Sequence, residues 1–436
     1  VHALHNYPPE FRGGVERCVE AATAAQRALG HDVRVVAGSE TTAPAAERRD
    51  ETHDGVRVHR LVRGPGLLDP IDPFRADHGP LYESVLEEFR PDVVHVHHWK
   101  NLGDDVARRA VLRGARVVVT LHDFHVSCAL YFRIPDGRNL CALPQSGASC
   151  GACIDRALGV GEIEQVKLRV ETRALAFAEE LRAASIVTAP SAAHAAALRP
   201  HLPADVAVTP LSIGSAPSEP APPRPRTGPL RVLHFGNLCR LKGVETLVDA
   251  IDVADPQGDG VALRLLGGVL EPDLRLGRAT RLPAYDAEVL RREAADADVA
   301  VFPSFAAETY SLTVDEALRL GLPVIVSDRG APAERVGERG IVVPAGDVGA
   351  LAAVLRRLRD DPAALAALRA GRHASLETPS DFGRRAAELY ERATASPPRP
   401  ASLTALHHRR LAAYERTFGY FYDEIRRLRA LLPEGS

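Results

Sequence analysis

The sequence predicts an α/β protein built from two parallel-sheet domains. Three observations carry this. The chain has 436 residues, too many for one ordinary core and suited to two. Short β-rich apolar runs alternate with amphipathic stretches in both halves, the pattern of strands joined by helical crossovers. Residues 215–229, SAPSEPAPPRPRTGP, are proline-rich without apolar pattern and read as an extended linker. The expected layout is a first domain over 1–214, the linker over 215–229, a second domain over 230–395 and a helical tail over 396–436.

Composition narrows the class. Apolar residues make up 45% and charged residues 25%, the balance of a globular chain. A net charge of −3 gives no general affinity for nucleic acid. No apolar run reaches membrane-spanning length and no signal-like segment opens the sequence, so it reads as cytoplasmic.

The first half reads as follows. Residues 1–4 end a strand, and Gly13-Gly14 turns into a helix over 15–29 closed by Gly30. Glycines at a strand-to-helix turn let backbone approach a phosphate; a tight turn needs them equally. Strands over 31–37 and 55–61 and a helix over 82–89 follow. The strand PDVVHVHH puts His95 and His97 on one face and His98 on the other. With no carboxylate or cysteine fixed nearby, these fit lining or packing better than metal. A helix over 104–113 leads to a strand over 116–120, which ends in Leu121-His122-Asp123-Phe124-His125. A histidine at the carboxyl end of a parallel strand points to the crevice where α/β sheets take ligands.

Cys128, Cys141, Cys150 and Cys153 share a loop-like segment, the last two as CxxC. Four thiolates could close a tetrahedral zinc site and staple such a loop; free thiols or a redox pair are the alternatives. A helix over 161–182, a strand over 185–189, a cap at Ser191 and a segment over 206–210 complete this half.

The second half opens with a strand over 230–235, the turn GNLCRLKG over 236–243 and a helix over 244–251. Lys242 is one of three lysines in the chain. A cation at a helix start opposes the dipole unless an anion is near, which favours a phosphate role over a solvated charge. A strand over 261–266 runs into Gly267-Gly268, and a helix over 286–296 into Asp296-Ala297-Asp298, read as a helix end. Residues 347–368 and 380–393 read as helices, and 401–436 as a further charged helix. That tail could pack on the domains, form an oligomer, or meet a partner or a membrane surface.

Between these lies FPSFAAETYSLTVDEALRLGLPVIVSD, residues 302–328, read as strand, loop, helix and strand. The helix start offers N–H groups at Tyr310, Ser311 and Leu312 to a phosphate. Glu308 and Glu316 bracket it, and each carboxylate could accept hydroxyl hydrogen bonds. On local pattern alone, Thr313 to Glu316 fits a capping box better than a ligand site.

Glu308 and Glu316, with seven residues between them and followed by Ala-Leu-Arg-Leu-Gly-Leu-Pro-Val-Ile, resemble the EX7E motif of the retaining family 4 glycosyltransferases of GT-B fold. The glycine turn, PDVVHVHHW, His122, Lys242-Gly243 and residues 330–346, with Glu334 as a cap, are similar to that family at the matching places, over about residues 1–395. The resemblance implies two Rossmann-like domains facing across a cleft. It implies transfer of a sugar from a nucleoside diphosphate donor to an acceptor hydroxyl, with no divalent metal required. Glu308 and His122 would then meet the sugar, Glu316 the ribose, and Lys242 the diphosphate. Gly13, Gly14 and Gly267 would lie near the donor. Asn237 stands where the family has an arginine, and Arg240 is the substitute nearby. A sugar-nucleotide epimerase, a phosphorylase or a non-catalytic nucleotide- or glycan-binding protein of the same fold are the rival readings.

Overall fold

The computed structural model describes residues 1–65, 69, 71–159, 163–210, 228–283, 285–371, 376, 378–404, 406–408 and 410–411. The chain divides into two compact units: Val1–Arg133, Cys141–Gly214 and Pro379–Ser436 in the first, Ile134–Leu140 and Ser215–Thr378 in the second. Most of the expected linker and residues 412–436 of the expected tail lie outside the described residues.

Among the described residues the first unit holds an eight-stranded sheet: β1 (His2–Leu4), β2 (Arg34–Thr42), β3 (Glu47–His53), β4 (Val56–Arg63), β5 (Val93–Val96), β6 (Arg116–Thr120), β7 (Ile186–Ala189) and β8 (Val206–Val208). The order is β3-β4-β2-β1-β5-β6-β7-β8. Every pair is parallel except β3 with β4. The sequence reading missed β3, ERRDETH. It is an edge strand whose charges suit solvent, so it carries no apolar signature. Topology reverses between β1 and β5, which places the turn after β1 and the histidines after β5 and β6 at a switch point.

The second unit holds β9 (Leu230–Phe235), β10 (Val261–Leu266), β11 (Thr280–Leu282), β12 (Val299–Phe302), β13 (Val324–Ser327) and β14 (Gly340–Val343). This all-parallel sheet runs β11-β10-β9-β12-β13-β14. Its central strands β9, β12 and β13 are covered on both faces, and the sequence shows it as near-continuous apolar runs. Leu230, Val232, Val299, Val301 and Ile325 join one apolar layer. Leu233, Phe235, Ala300, Phe302, Val324 and Val326 join the other. The helix Leu312–Arg319 buries Val314, Ala317 and Leu318 in that second layer. Burying a side chain of this size contributes about 1.5–3 kcal/mol, and this fixes where the helix start sits.

The expected helix over 347–368 is two helices, Val348–Asp360 and Pro362–Ala370. Pro362 cannot continue the first, and Asp361 caps the second by accepting from Ala363 and Ala364 N–H. The helix Pro379–Ala395 belongs to the first unit, where Tyr390 meets Gln26 and His95. Of the tail, Leu406, His407 and Arg410 are buried. Arg410 pairs with the buried Asp72 and Asp104, its Nε donating to Asp72 at 3.1 Å. Among the described residues no helix is long and apolar enough to cross a membrane.

Candidate active site

The strand order of the second sheet reverses between β9 and β12, and the loops leaving those two strands carry the predicted donor residues. After β9 the chain passes Gly236 with φ 117°. A Cβ on Gly267 would fall 1.9 Å from the Gly236 carbonyl, so the loops after β9 and β10 approach backbone to backbone. Asn237 is exposed. A single 3-10 turn, Arg240–Lys242, then ends on Gly243. Gly243 has φ 76°, and a Cβ there would lie 2.0 Å from the Pro303 carbonyl oxygen. Only glycine allows that approach, and it brings Lys242 alongside the loop after β12.

There Lys242 pairs with Glu308 Oε1. Ser304 Oγ lies 3.0 Å from the same oxygen and can donate to it. The Glu308 backbone is pinned as well: it bridges Gly330, and its carbonyl accepts from Ala331 N–H at 2.8 Å. The expected cation and the first glutamate are thus neighbours, although 66 residues separate them. Arg240 differs. It is half exposed and its guanidinium meets Glu245, Glu271 and Asp273, the last two at 2.6 and 2.9 Å.

The helix after Glu308 starts at Leu312, with Ser311 as N-cap at φ 64° and ψ 80°. A left-handed serine costs about 1–2 kcal/mol, and such strain collects at working sites. Arg335, missed in the sequence reading, braces this turn. Its guanidinium lies 3.5 Å from the Tyr310 ring centroid, donates to the Tyr310 carbonyl at 2.6 Å and pairs with buried Asp315. Burial pushes the Asp315 carboxyl above its usual range. The capping-box alternative for Thr313 and Glu316 is not what forms: Thr313 lies inside the helix and Glu316 beyond its first turn. Glu316 is buried. Glu334, expected as a cap, lies inside Ala331–Arg335, whose N-cap is Gly330. Asp298 ends in ion pairs with Arg231 and Arg369 at 2.9 and 2.8 Å, a structural role.

In the first unit, Gly13 is the N-cap of the helix Gly14–Ala28. Its N–H donates to Glu16 Oε2 at 2.9 Å, so a side-chain carboxylate already occupies one of the donors expected to face phosphate. Burial raises the Glu16 carboxyl. His122 follows β6 and is almost fully buried. Burial lowers it to about 3, so the ring is neutral near pH 7. His97 Nδ1 lies 2.9 Å from His122 Nε2. His98 meets Asp123 at 3.2 Å and stacks on His125. His2, His95 and His97 form a cluster with ligand atoms gathered within 4.8 Å, a potential metal site; His2 was not foreseen. No local sequence pattern joined it to His95; the two become register partners only once β1 and β5 lie side by side.

The four expected zinc cysteines are all free. Cys150 and Cys153 sit one turn apart on the helix Gly147–Leu158, where a loop was expected. Burial, then the neighbouring Cys128, Cys150 and Cys141, pushes the Cys153 thiol up. Among the described residues, the groups of potential ligands within 4.8 Å of one another do not include these cysteines.

Two mainly parallel α/β units, each with its expected site residues at a strand-order reversal, have the architecture in which α/β enzymes take nucleotides. The family described as "Glycosyltransferase Family 4" matches residues 12–213, and that described as "Glycosyl transferases group 1" matches residues 229–361. A D-inositol 3-phosphate glycosyltransferase of Thermobispora bispora is 30% identical over 379 residues, covering 79% of this chain and 82% of its own. A glycogen synthase of Mycobacterium tuberculosis is 28% identical over 402 residues, covering 86% and 89%. Among solved structures, the catalytic domain of Arabidopsis thaliana starch synthase IV, bound to ADP and acarbose, superposes with a TM-score of 0.60 at 17% identity, covering 91% of this chain and 99% of that one. Anabaena HepE in complex with UDP and glucose gives 0.57 at 17%, covering 89% and 98%. The chain belongs to the family 4 glycosyltransferases of GT-B fold, enzymes that move a sugar from a nucleotide-sugar donor to an acceptor hydroxyl.

Proposed function

We propose that this glycosyltransferase takes a hexose from a nucleoside diphosphate donor and retains its anomeric configuration. The observation that carries the reading is the Lys242–Glu308 pair at the second sheet's switch point. An ammonium here is matched to a leaving diphosphate, whose growing charge it stabilises more in the transition state than in the ground state. Until donor arrives, Glu308 holds the lysine in place. With donor bound, the carboxylate is released to accept from sugar hydroxyls. The start of the helix Leu312–Arg319 adds N–H groups for phosphate, and Glu316 is assigned to the ribose. His122 and the Gly13-Gly14 turn are assigned to substrate in the first unit. The donor step is assigned without a divalent ion. A structural zinc on Cys128, Cys141, Cys150 and Cys153 rests on their spacing within one segment alone, since among the described residues their thiols are not in the ligand groups gathered within 4.8 Å, and metal content of the wild type against Cys153→Ser tests it.

The test of the donor site is thermal unfolding with UDP, GDP, ADP and dTDP, with and without EDTA. A nucleotide at a hundred times its dissociation constant adds about 2.7 kcal/mol of stability. A rise with one nucleotide, insensitive to EDTA and absent in Lys242→Ala, is expected. No rise with any of the four would remove the donor-site assignment.

A further inference from the structure

Eight side chains of the first unit link into one hydrogen-bond chain. His122 Nε2 lies 2.9 Å from His97 Nδ1, and His97 Nε2 lies 2.9 Å from His2 Nδ1. His2 Nε2 lies 2.8 Å from Gln26 Oε1, and Gln26 Nε2 donates to the Tyr390 hydroxyl at 2.9 Å. That hydroxyl lies 2.8 Å from His95 Nδ1, and His95 Nε2 lies 2.7 Å from Thr120 Oγ1. Thr120 Oγ1 meets Thr188 Oγ1 at 2.9 Å, and Thr188 Oγ1 donates to the Val119 carbonyl at 3.2 Å.

The last contact sets the direction of all the others. A backbone carbonyl only accepts. Thr188 therefore gives its one hydroxyl proton to Val119 and accepts from Thr120. Thr120, having given its proton, accepts from His95 Nε2–H. A neutral imidazole has one donor and one acceptor, so His95 Nδ1 accepts from Tyr390. The tyrosine oxygen then accepts from Gln26 NH2, which turns Gln26 Oε1 toward His2. The same alternation runs on: His2 Nε2–H donates to Gln26, His97 Nε2–H to His2, and His122 Nε2–H to His97. We propose that this ordered chain holds His122 as the neutral Nε2–H tautomer, so that Nδ1 meets its surroundings only as an acceptor.

Reversing the chain would require Thr188 to abandon Val119 and the Gln26 amide to flip, both at once. Neutrality is independently favoured, since burial lowers His2 and His122 to about 3. A metal on His2, His95 and His97 competes with this assignment, because each ring already uses both nitrogens in the chain. The functional consequence rests on the reading that gives His122 a substrate-facing role. Under it, whatever meets Nδ1 must bring its own hydrogen, as a sugar hydroxyl does and an ether oxygen does not. His97, His2, Gln26 and Tyr390 are then positioning residues.

The experiment is side-chain ¹⁵N spectroscopy of the full chain, labelled at histidine, at pH 7 after dialysis against a chelator and with no nucleotide. His122→Gln identifies the His122 signals. The wild type is expected to show His122, His97, His2 and His95 each protonated at Nε2 alone. Tyr390→Phe keeps the ring and removes the link, and is expected to add a second His122 form protonated at Nδ1. His97→Asn, which offers an oxygen where Nδ1 stood, is expected to keep the Nε2–H form that His97→Leu loses. An Nδ1–H or doubly protonated His122 in the wild type would overturn the proposal. So would a His122 spectrum unmoved by Tyr390→Phe and by His97→Leu, or one metal ion per chain that is lost in His95→Gln. No ligand is present, so the outcome is separable from the nucleotide assignment.

Discussion

Lys242 and Arg240 are two residues apart and meet different fates. Arg240 is neutralised by three carboxylates and faces solvent, where such pairs contribute little. Lys242 reaches Glu308. Lys242→Ala is therefore expected to lower kcat by about a hundredfold to a thousandfold, the usual loss on removing a preorganised charge stabiliser. Arg240→Ala is expected to change it by less than about threefold. Nucleoside diphosphate release from the nucleotide sugar chosen by the thermal screen measures both. The sequence showed Lys242 because lysine is rare in this chain and sits against a helix dipole. It could not show that Arg240 is occupied, since Glu271 and Asp273 come from the next crossover. Arg335 was invisible for the same reason: its partners Tyr310 and Asp315 lie at least 20 residues away.

At the scale of the element, the 3-10 turn and its closing glycine position the lysine. Gly243→Ala puts a methyl against the Pro303 carbonyl at a left-handed φ. A loss of about 1–3 kcal/mol in urea unfolding is expected, together with loss of the nucleotide-induced thermal shift, because Lys242 must move with the loop. Elements with two buried faces were readable from sequence: β9, β12 and β13 are largely apolar runs bounded by turn residues. Edge strand β3 was not, because pairing by backbone leaves its side chains free to be charged. Buried histidines add a pH dependence. Burial lowers His78, His194, His234 and His407 to about 4, against about 6.5 unfolded. Between those values the unfolded chain binds more protons. This contribution is whole above about pH 6.5 and falls as pH drops, by about 1.4 kcal/mol per pH unit for each ring. Asp104, raised to about 8 mainly by burial, acts in the opposite sense by one proton. Urea midpoints are expected to fall steeply from pH 6.5 to 5.

On the scale of the whole molecule, the end of the chain completes the first unit. Arg410 is fully buried against Asp72 and Asp104. Arg410→Leu leaves the buried Asp72 carboxylate without its cation, beside an Asp104 that burial keeps largely protonated near pH 7, and is expected to cost about 3–5 kcal/mol in denaturant unfolding of the full chain. Adding Asp72→Asn and Asp104→Asn is expected to recover a large part of it. No local pattern announced this, because the partners are more than 300 residues apart. The late return of the chain also bears on synthesis. Gly214 leaves the ribosome well before Pro379, where the first unit resumes. At 5–20 residues per second that interval is roughly ten to thirty seconds. For that time the nascent first sheet lacks Tyr390 and Arg410, with Asp72 and Asp104 still uncompensated. The second unit, apart from the short stretch Ile134–Leu140, is continuous in the chain. It can close first, so this protein is expected to mature from its middle outward rather than from its beginning.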